Sequence, residues 1–117
     1  MILPPKAIYI YGGKYGTVKM KDRAMKVRYE WDEDKNVINK HKHGVSFEEA
    51  QFAFLDPDRI IAKDLKHGKG EKRYYCFGEV KGGVLTVRFT HRKNRIRIIG
   101  AGYWRQGGRI YEKENKL

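Results

Sequence analysis

Cysteine is nearly missing from this chain: one residue, Cys76, in 117. That excludes an internal disulfide framework and a cysteine zinc cluster, and it fits a reducing compartment. Long apolar runs are missing too. No stretch approaches the roughly 18 residues of a membrane span, and the N-terminus lacks the apolar centre of a secretory signal. The expected location is the cytoplasm, with no membrane partner. Acidic residues are the third shortage. Fourteen Asp and Glu stand against 26 Lys and Arg, for a formal charge of +12. The imbalance is uneven: +6 over residues 1–28, −3 over 29–55 and +9 over 56–117. A strongly basic chain with a mildly acidic middle suits a polyanion such as nucleic acid, or an acidic protein.

What remains is compositionally ordinary. Hydrophobic residues make up 40% and aromatics 13%, enough for one globular domain with a real core. Residues 1–24 show no clear period. They read as a basic extension, either a disordered arm or an upstream-start artefact, with alternation for a short strand at Ile8–Tyr11. The domain itself is expected over 25–117.

The stretch from Trp31 to Pro57 carries the densest local signals. Asp32 is placed to cap a helix, because its carboxylate can accept from free first-turn amides. Glu33 and Asp34 then complement the helix dipole. His43-Gly44-Val45 is a stop signal, with glycine suited to the left-handed cap. Ser46 through Glu49 form a capping box that starts a second helix. Phe47, Ala50 and Phe54 fall on one face of it, and Asp56-Pro57 ends it.

Elsewhere the period is two. Alternation of Val27, Tyr29 and Trp31 predicts a first strand over 26–31. Strands follow at 59–64, 71–80, 84–91 and 95–101, with a basic glycine-bearing loop over 65–70 and a polar tail that turns helical towards its end. Short connections imply antiparallel hairpins. A two-residue turn at Arg92-Lys93 pairs Phe89 with Ile96, Val87 with Ile98 and Arg88 with Arg97. A turn at Gly82-Gly83 pairs Val80 with Leu85, Cys76 with Phe89 and Tyr74 with His91. Apolar residues then meet on one face, which the helical pair should cover. The other face gathers Glu71, Arg73, Tyr75, Phe77, Arg88, Arg95 and Arg97. The fold class is α+β, an antiparallel sheet with two N-terminal helices on one side.

That second face suits a phosphodiester. Guanidinium groups on rigid strands offer forked donors to phosphate oxygens and keep their charge. Tyr75 and Phe77 can stack unpaired bases. RNA supplies its own nucleophile, the 2′-hydroxyl, so the protein need only align it, take its proton and stabilise the developing charge. In that scheme Glu71 is the base, Arg73 and Arg97 stabilise charge on phosphorus, and Arg88 or Arg95 positions the strand. The bland alternative makes Glu71 a surface partner of Arg73, worth about 0–1 kcal/mol. Lys42 and His43 serve either as complements to the first helix dipole or as RNA contacts. No metal-ligand spacing is present among the four histidines, and no cofactor is expected.

Several of these residues form a recognisable series. Trp31-Asp32, Lys35, the run Lys42 to Ala50, Asp56-Pro57, Glu71-Lys72-Arg73-Tyr74 and Arg95 to Ile99 resemble the BrnT family over about residues 27–101. The resemblance implies a RelE-like ribonuclease toxin of a type II toxin–antitoxin system, cutting RNA without a metal and so inhibiting translation. It implies a BrnA-type ribbon-helix-helix antitoxin, with operator DNA reached only through that partner. It also places functional charges at Glu71, Arg73, Arg95 and Arg97. One departure stands out. The family's last strand commonly ends Ile-Ser-Ala-Arg, whereas this chain has Ile99-Gly100-Ala101-Gly102. Arg105 or Tyr103 is the nearest replacement for the missing guanidinium. The departure admits a second reading, a non-catalytic module that binds RNA or antitoxin.

Overall fold

The computed structural model describes residues 28–64 and 70–116. The N-terminal extension, the strand considered at 8–11 and most of the loop at 65–70 lie outside these residues. The element order is β1 (Arg28–Glu30), α1 (Glu33–His43), α2 (Phe47–Ala50), a 3-10 turn (Gln51–Leu55), β2 (Ile60–Asp64), β3 (Arg73–Val80), β4 (Gly83–Arg92), β5 (Arg95–Gly102) and α3 (Arg105–Asn115). The strands form one sheet in the order β1-β5-β4-β3-β2. Three pairings are antiparallel, but β1 runs parallel to β5. The sheet is therefore mixed, not antiparallel throughout. The cause is topological: β1 and β5 are joined through the whole domain, so no hairpin forces them to oppose.

The helix signals are realised locally. The Asp32 side chain accepts from the amides of Asp34 and Lys35, and Gly44 closes α1 at φ 72° while its amide donates to the Lys40 carbonyl. Ser46 accepts from the Glu49 amide. The Glu49 carboxylate does not complete the box. It turns instead to Lys81 at 3.6 Å and to the Tyr103 hydroxyl at 3.3 Å.

The helical cover is divided unequally. Phe47, Ala50, Ala53 and Phe54, from α2 and the 3-10 turn, are fully buried against Leu85, Val87, Phe89, Ile96 and Ile98 of the sheet. α1 buries no apolar side chain; its buried residues are Asn36 and Asn39. Asn36 accepts from the Phe47 amide at 2.7 Å. The Asn39 amide reaches β5 beyond the end of β1, donating to the Ala101 carbonyl at 2.9 Å and accepting from its N–H at 3.2 Å. A side chain thus does there what a neighbouring strand would do. α1 lies along the sheet margin rather than over its apolar face.

A third helix covers part of the opposite face. α3 packs Tyr111 into a second cluster with Ile60, Ala62 and Phe77. Gly107 allows this approach, since a Cβ there would meet Thr86 Oγ1 and the Phe77 ring. Tyr111 donates to Asp56 Oδ2 at 2.6 Å, and Asn115 donates to the Asp58 carbonyl at 3.0 Å. These bonds tie α3 to the loop before β2.

Both hairpins turn one residue away from the expected positions. The β3–β4 turn is Lys81-Gly82, with both residues at positive φ, as a tight hairpin requires. Val80 accordingly pairs with Gly83, Cys76 with Val87 and Tyr74 with Phe89. The β4–β5 turn is Lys93-Asn94, pairing His91 with Ile96 and Phe89 with Ile98. Between each turn and the bulge the pairing slips by two residues, and beyond the bulge Val87 meets Ala101 instead of Ile98. A slip of two preserves the alternation, so the side chains keep their predicted faces. A bulge between Arg88 and Phe89 then adds one residue on β5, and Arg88 meets Gly100 instead of Arg97.

Candidate active site

The uncovered half of the sheet is built from consecutive cross-strand rows. The central row crosses all five strands: Glu30 pairs with Arg97, Arg97 with Thr90, Thr90 with Arg73 and Arg73 with Asp64. Towards the β4–β5 turn lies a second row, Arg28, Arg95 and Arg92. On the other side lie Gly100, Arg88, Tyr75 and Ala62. Alternation along the strands, with the bulge at Ile99 resetting it for Gly100, puts these residues on one face, and Phe89, Ile96, Ile98, Tyr74 and Cys76 occupy the other.

Carboxylates hold several of the arginines. Glu30 contacts Arg95 Nη1 at 3.2 Å and Arg97 Nη1 at 3.3 Å through its two oxygens. The hydrogen bond from Arg95, followed by that from Arg97, keeps the Glu30 carboxyl below its ordinary pKa. Asp64 is buried, 3% exposed. It contacts Arg88 Nη2 at 3.6 Å. It also accepts from Tyr75, whose pKa is raised by burial and then by the Asp64 charge. Thr90 Oγ1 donates to the Lys72 carbonyl at 2.8 Å, so its hydroxyl is fixed in the middle of the central row. Nε of Arg73 and Nε of Arg88 are buried without a hydrogen-bond partner.

The predicted residues distribute as follows. Arg73 and Arg97 share the central row on either side of Thr90. Arg88 and Arg95 lie on the adjoining rows. Glu71 precedes β3, and its Oε2 receives both Arg92 Nε and Arg92 Nη2 at 3.2 Å. Its ion-pair partner is therefore Arg92, not Arg73. Tyr75 is half-buried and stacks on Phe77, with centroids 5.8 Å apart and planes at 18°. Phe77 itself is 3% exposed beneath α3 and has no face to offer a base. The sequence does not show this, because the seat of α3 on Phe77 depends on contacts distant in sequence.

Lys42 and His43 end α1 and are exposed. His43 meets Trp104 edge to face, 5.1 Å between centroids, so the end of α1 reaches the margin of this face. Arg105 opens α3 and is exposed. Tyr103 is directed elsewhere: its hydroxyl donates to the Val80 carbonyl at 3.1 Å beside the β3–β4 turn. It does not replace the guanidinium missing at Gly102.

Three residues were not singled out from sequence: Glu30, Asp64 and Thr90. The alternation of Tyr29 and Trp31 already put Glu30 on the arginine face. Asp64 and Thr90 needed the register of β2 against β3 and of β3 against β4. Among the described residues no group of three or more His, Cys, Asp or Glu is placed to hold a metal ion. Nor is any helix among them long and apolar enough to cross a membrane.

A net-positive face with arginines from β3, β4 and β5 and carboxylates at its margins can seat a phosphodiester and counter charge developing on it. A comparison with individually curated proteins returned no match. A family model described as the ribonuclease toxin BrnT of a type II toxin–antitoxin system matches residues 31–107. That span starts with the residues capping α1 and runs to the glycine on which α3 meets the sheet. The chain belongs to the BrnT family of type II toxin–antitoxin ribonuclease toxins.

Proposed function

We propose that this protein is a metal-independent endoribonuclease whose reacting phosphate sits on the central row, between Arg73 and Arg97. The observation that carries this reading is the placement of two guanidiniums, Arg73 on β3 and Arg97 on β5, in a single cross-strand row. Rigid strands set the donors before substrate arrives, which is the condition under which electrostatic stabilisation is most effective. Arg73 and Arg97 hold the nonbridging oxygens and counter the charge of the pentacoordinate state. Glu71 takes the proton from the 2′-hydroxyl. It lies two residues before the start of β3, where Arg92 holds it in place. Arg95 and Arg88 position the flanking backbone, with Lys42, His43, Tyr75 and Arg105 as outer RNA contacts.

In this scheme the 2′-oxygen forms a bond to phosphorus as the bond to the 5′-oxygen breaks. Glu71 receives one proton, and the leaving 5′-oxygen gains one from solvent. The products carry a 2′,3′-cyclic phosphate and a 5′-hydroxyl. The fold reads as RelE-like, the site of action as the cytoplasm and the consequence as inhibited translation. The partner is a BrnA-like ribbon-helix-helix antitoxin, through which alone the complex meets operator DNA.

Expression of the chain with and without a cognate antitoxin tests this. Free protein should arrest growth and degrade RNA, and Arg73→Ala or Glu71→Gln should relieve arrest while the protein stays folded. Unimpaired growth and intact RNA on expression of free, folded protein would contradict it. The second reading, a non-catalytic RNA- or antitoxin-binding module, draws on Gly100 and Gly102, which remove a hydroxyl and a guanidinium from β5. It predicts salt-sensitive RNA binding without cleavage products.

A further inference from the structure

With Phe77 buried and Tyr75 stacked on it, the arginine face needs another ring if it is to hold unpaired RNA bases. Trp104 is the candidate. It is 40% exposed. It is the second residue after β5 and stands over Gly102, where a Cβ would come within 2.6–2.8 Å of its six-membered ring. Gly102 pairs with Thr86, and Thr86 pairs with Phe77. Direct partners in an antiparallel ladder share a face, so the indole lies on the arginine side of the sheet. It occupies the space that a side chain at position 102 would fill.

The setting is basic. Arg105 follows Trp104, the first turn of α3 carries no acidic residue, and Lys42 precedes the His43 ring that abuts the indole. Next along β5 is Gly100, where a Cβ would meet only Asn39 Oδ1 at 3.9 Å. The route from Trp104 to the central row is therefore bare backbone at Gly100. Its length from Gly102 to Arg97 is about 15 Å at the rise of a strand, which puts the indole a few nucleotides from the reacting phosphate.

We propose that Trp104, seated over Gly102 and braced by His43, is the platform on which an unpaired RNA base stacks beside the arginine rows. The proposal rests on the ribonuclease reading and assigns that site its base-binding element. The replacement of larger side chains by Gly100 and Gly102 then exchanges one contact type for another: a charged contact is removed and a π surface is exposed. Stacking tolerates any base, with strength following the size of its π face, so purines should be favoured at one offset from the cut.

The test uses the full chain carrying Trp31→Phe, which leaves Trp104 as the lone tryptophan. A 2′-O-methyl single-stranded oligonucleotide, which lacks the nucleophile, separates binding from cleavage. Its titration should quench the indole fluorescence. Trp104→Ala, made in the natural chain and followed by fluorescence polarisation of a labelled oligonucleotide, should weaken affinity roughly 5- to 100-fold. Trp104→Phe should restore most of the loss. An abasic position moved along the oligonucleotide should abolish quenching at one offset only. Should Trp104→Ala prove unstable to heat, this scan in the Trp31→Phe protein decides alone. No quenching, or quenching indifferent to the abasic position, overturns the platform. If Arg97→Ala then still weakens binding and stops cleavage of ordinary RNA, the ribonuclease reading stands without it. If no variant alters binding and no RNA is cut, both fail.

Discussion

Arg97 and Arg88 are both half-exposed arginines on one face, yet their carboxylate partners differ. Arg97 pairs with Glu30, which solvent reaches, whereas Arg88 pairs with Asp64, whose side chain is 1% exposed. Removing Arg88 takes a cation from a buried carboxylate that keeps its hydrogen bond from Tyr75. Arg88→Ala should cost about 3 kcal/mol, the low end for a broken buried pair, read from urea unfolding. Arg97→Ala should leave the midpoint nearly unchanged and abolish cleavage. Glu30 adds a pH dependence. Its folded pKa is depressed by Arg95 and then Arg97. Its contribution to stability is therefore present above the ordinary carboxylate value of 4.5 and is lost as pH falls through the lower folded value. Glu30→Gln should flatten that part of the acid unfolding profile. Cys76 is fully buried, and burial raises its thiol pKa well above normal. It should stay unreactive to a thiol reagent in the native protein and react once urea unfolds it.

Among the elements, α1 is held to the sheet by polar bonds where an amphipathic helix would use apolar contact. Asn39 bonds Val45 and both backbone groups of Ala101. Asn39→Ala should destabilise the fold by about 2–4 kcal/mol, since it leaves a buried strand margin without partners. Helix existence here was legible from sequence because the caps are local: Asp32, Gly44 and Ser46 act within three or four residues. The faces of β3 to β5 were also legible, because a slip of two residues at each hairpin keeps the alternation. The bulge at Ile99 was not. It accompanies the bonds of Ala101 to Asn39 of α1, a contact distant in sequence. Parallel β1 and the seat of α3 escaped for the same reason. Gly107 and Gly108 weaken helix propensity locally, yet packing against Thr86 and Phe77 requires a glycine at 107.

Across the whole molecule, the two sides of the sheet take different roles. One buries Phe47, Phe54, Phe89 and Ile98 in the main core. The other is divided between an apolar half beneath α3 and a basic half left open. The net charge of +12 is thus concentrated in part where β3, β4 and β5 display arginines. Long-range attraction to a polyanion should make RNA binding fall steeply with salt, whereas the core should be indifferent to it. Of the proposed site, the sequence made Arg73, Arg95 and Arg97 visible through their alternation. It left Asp64, Thr90 and Trp104 hidden, since register and packing create their proximity. The reading under test is that Arg73 and Arg97 hold a phosphate for attack by the neighbouring 2′-hydroxyl. The most direct measurement is end-group analysis of RNA cut by the purified chain in the presence of a chelator. The account predicts 2′,3′-cyclic phosphate and 5′-hydroxyl ends, lost in Arg97→Ala at unchanged stability. Products with 3′-hydroxyl and 5′-phosphate ends, or cleavage that survives Arg97→Ala, would contradict it.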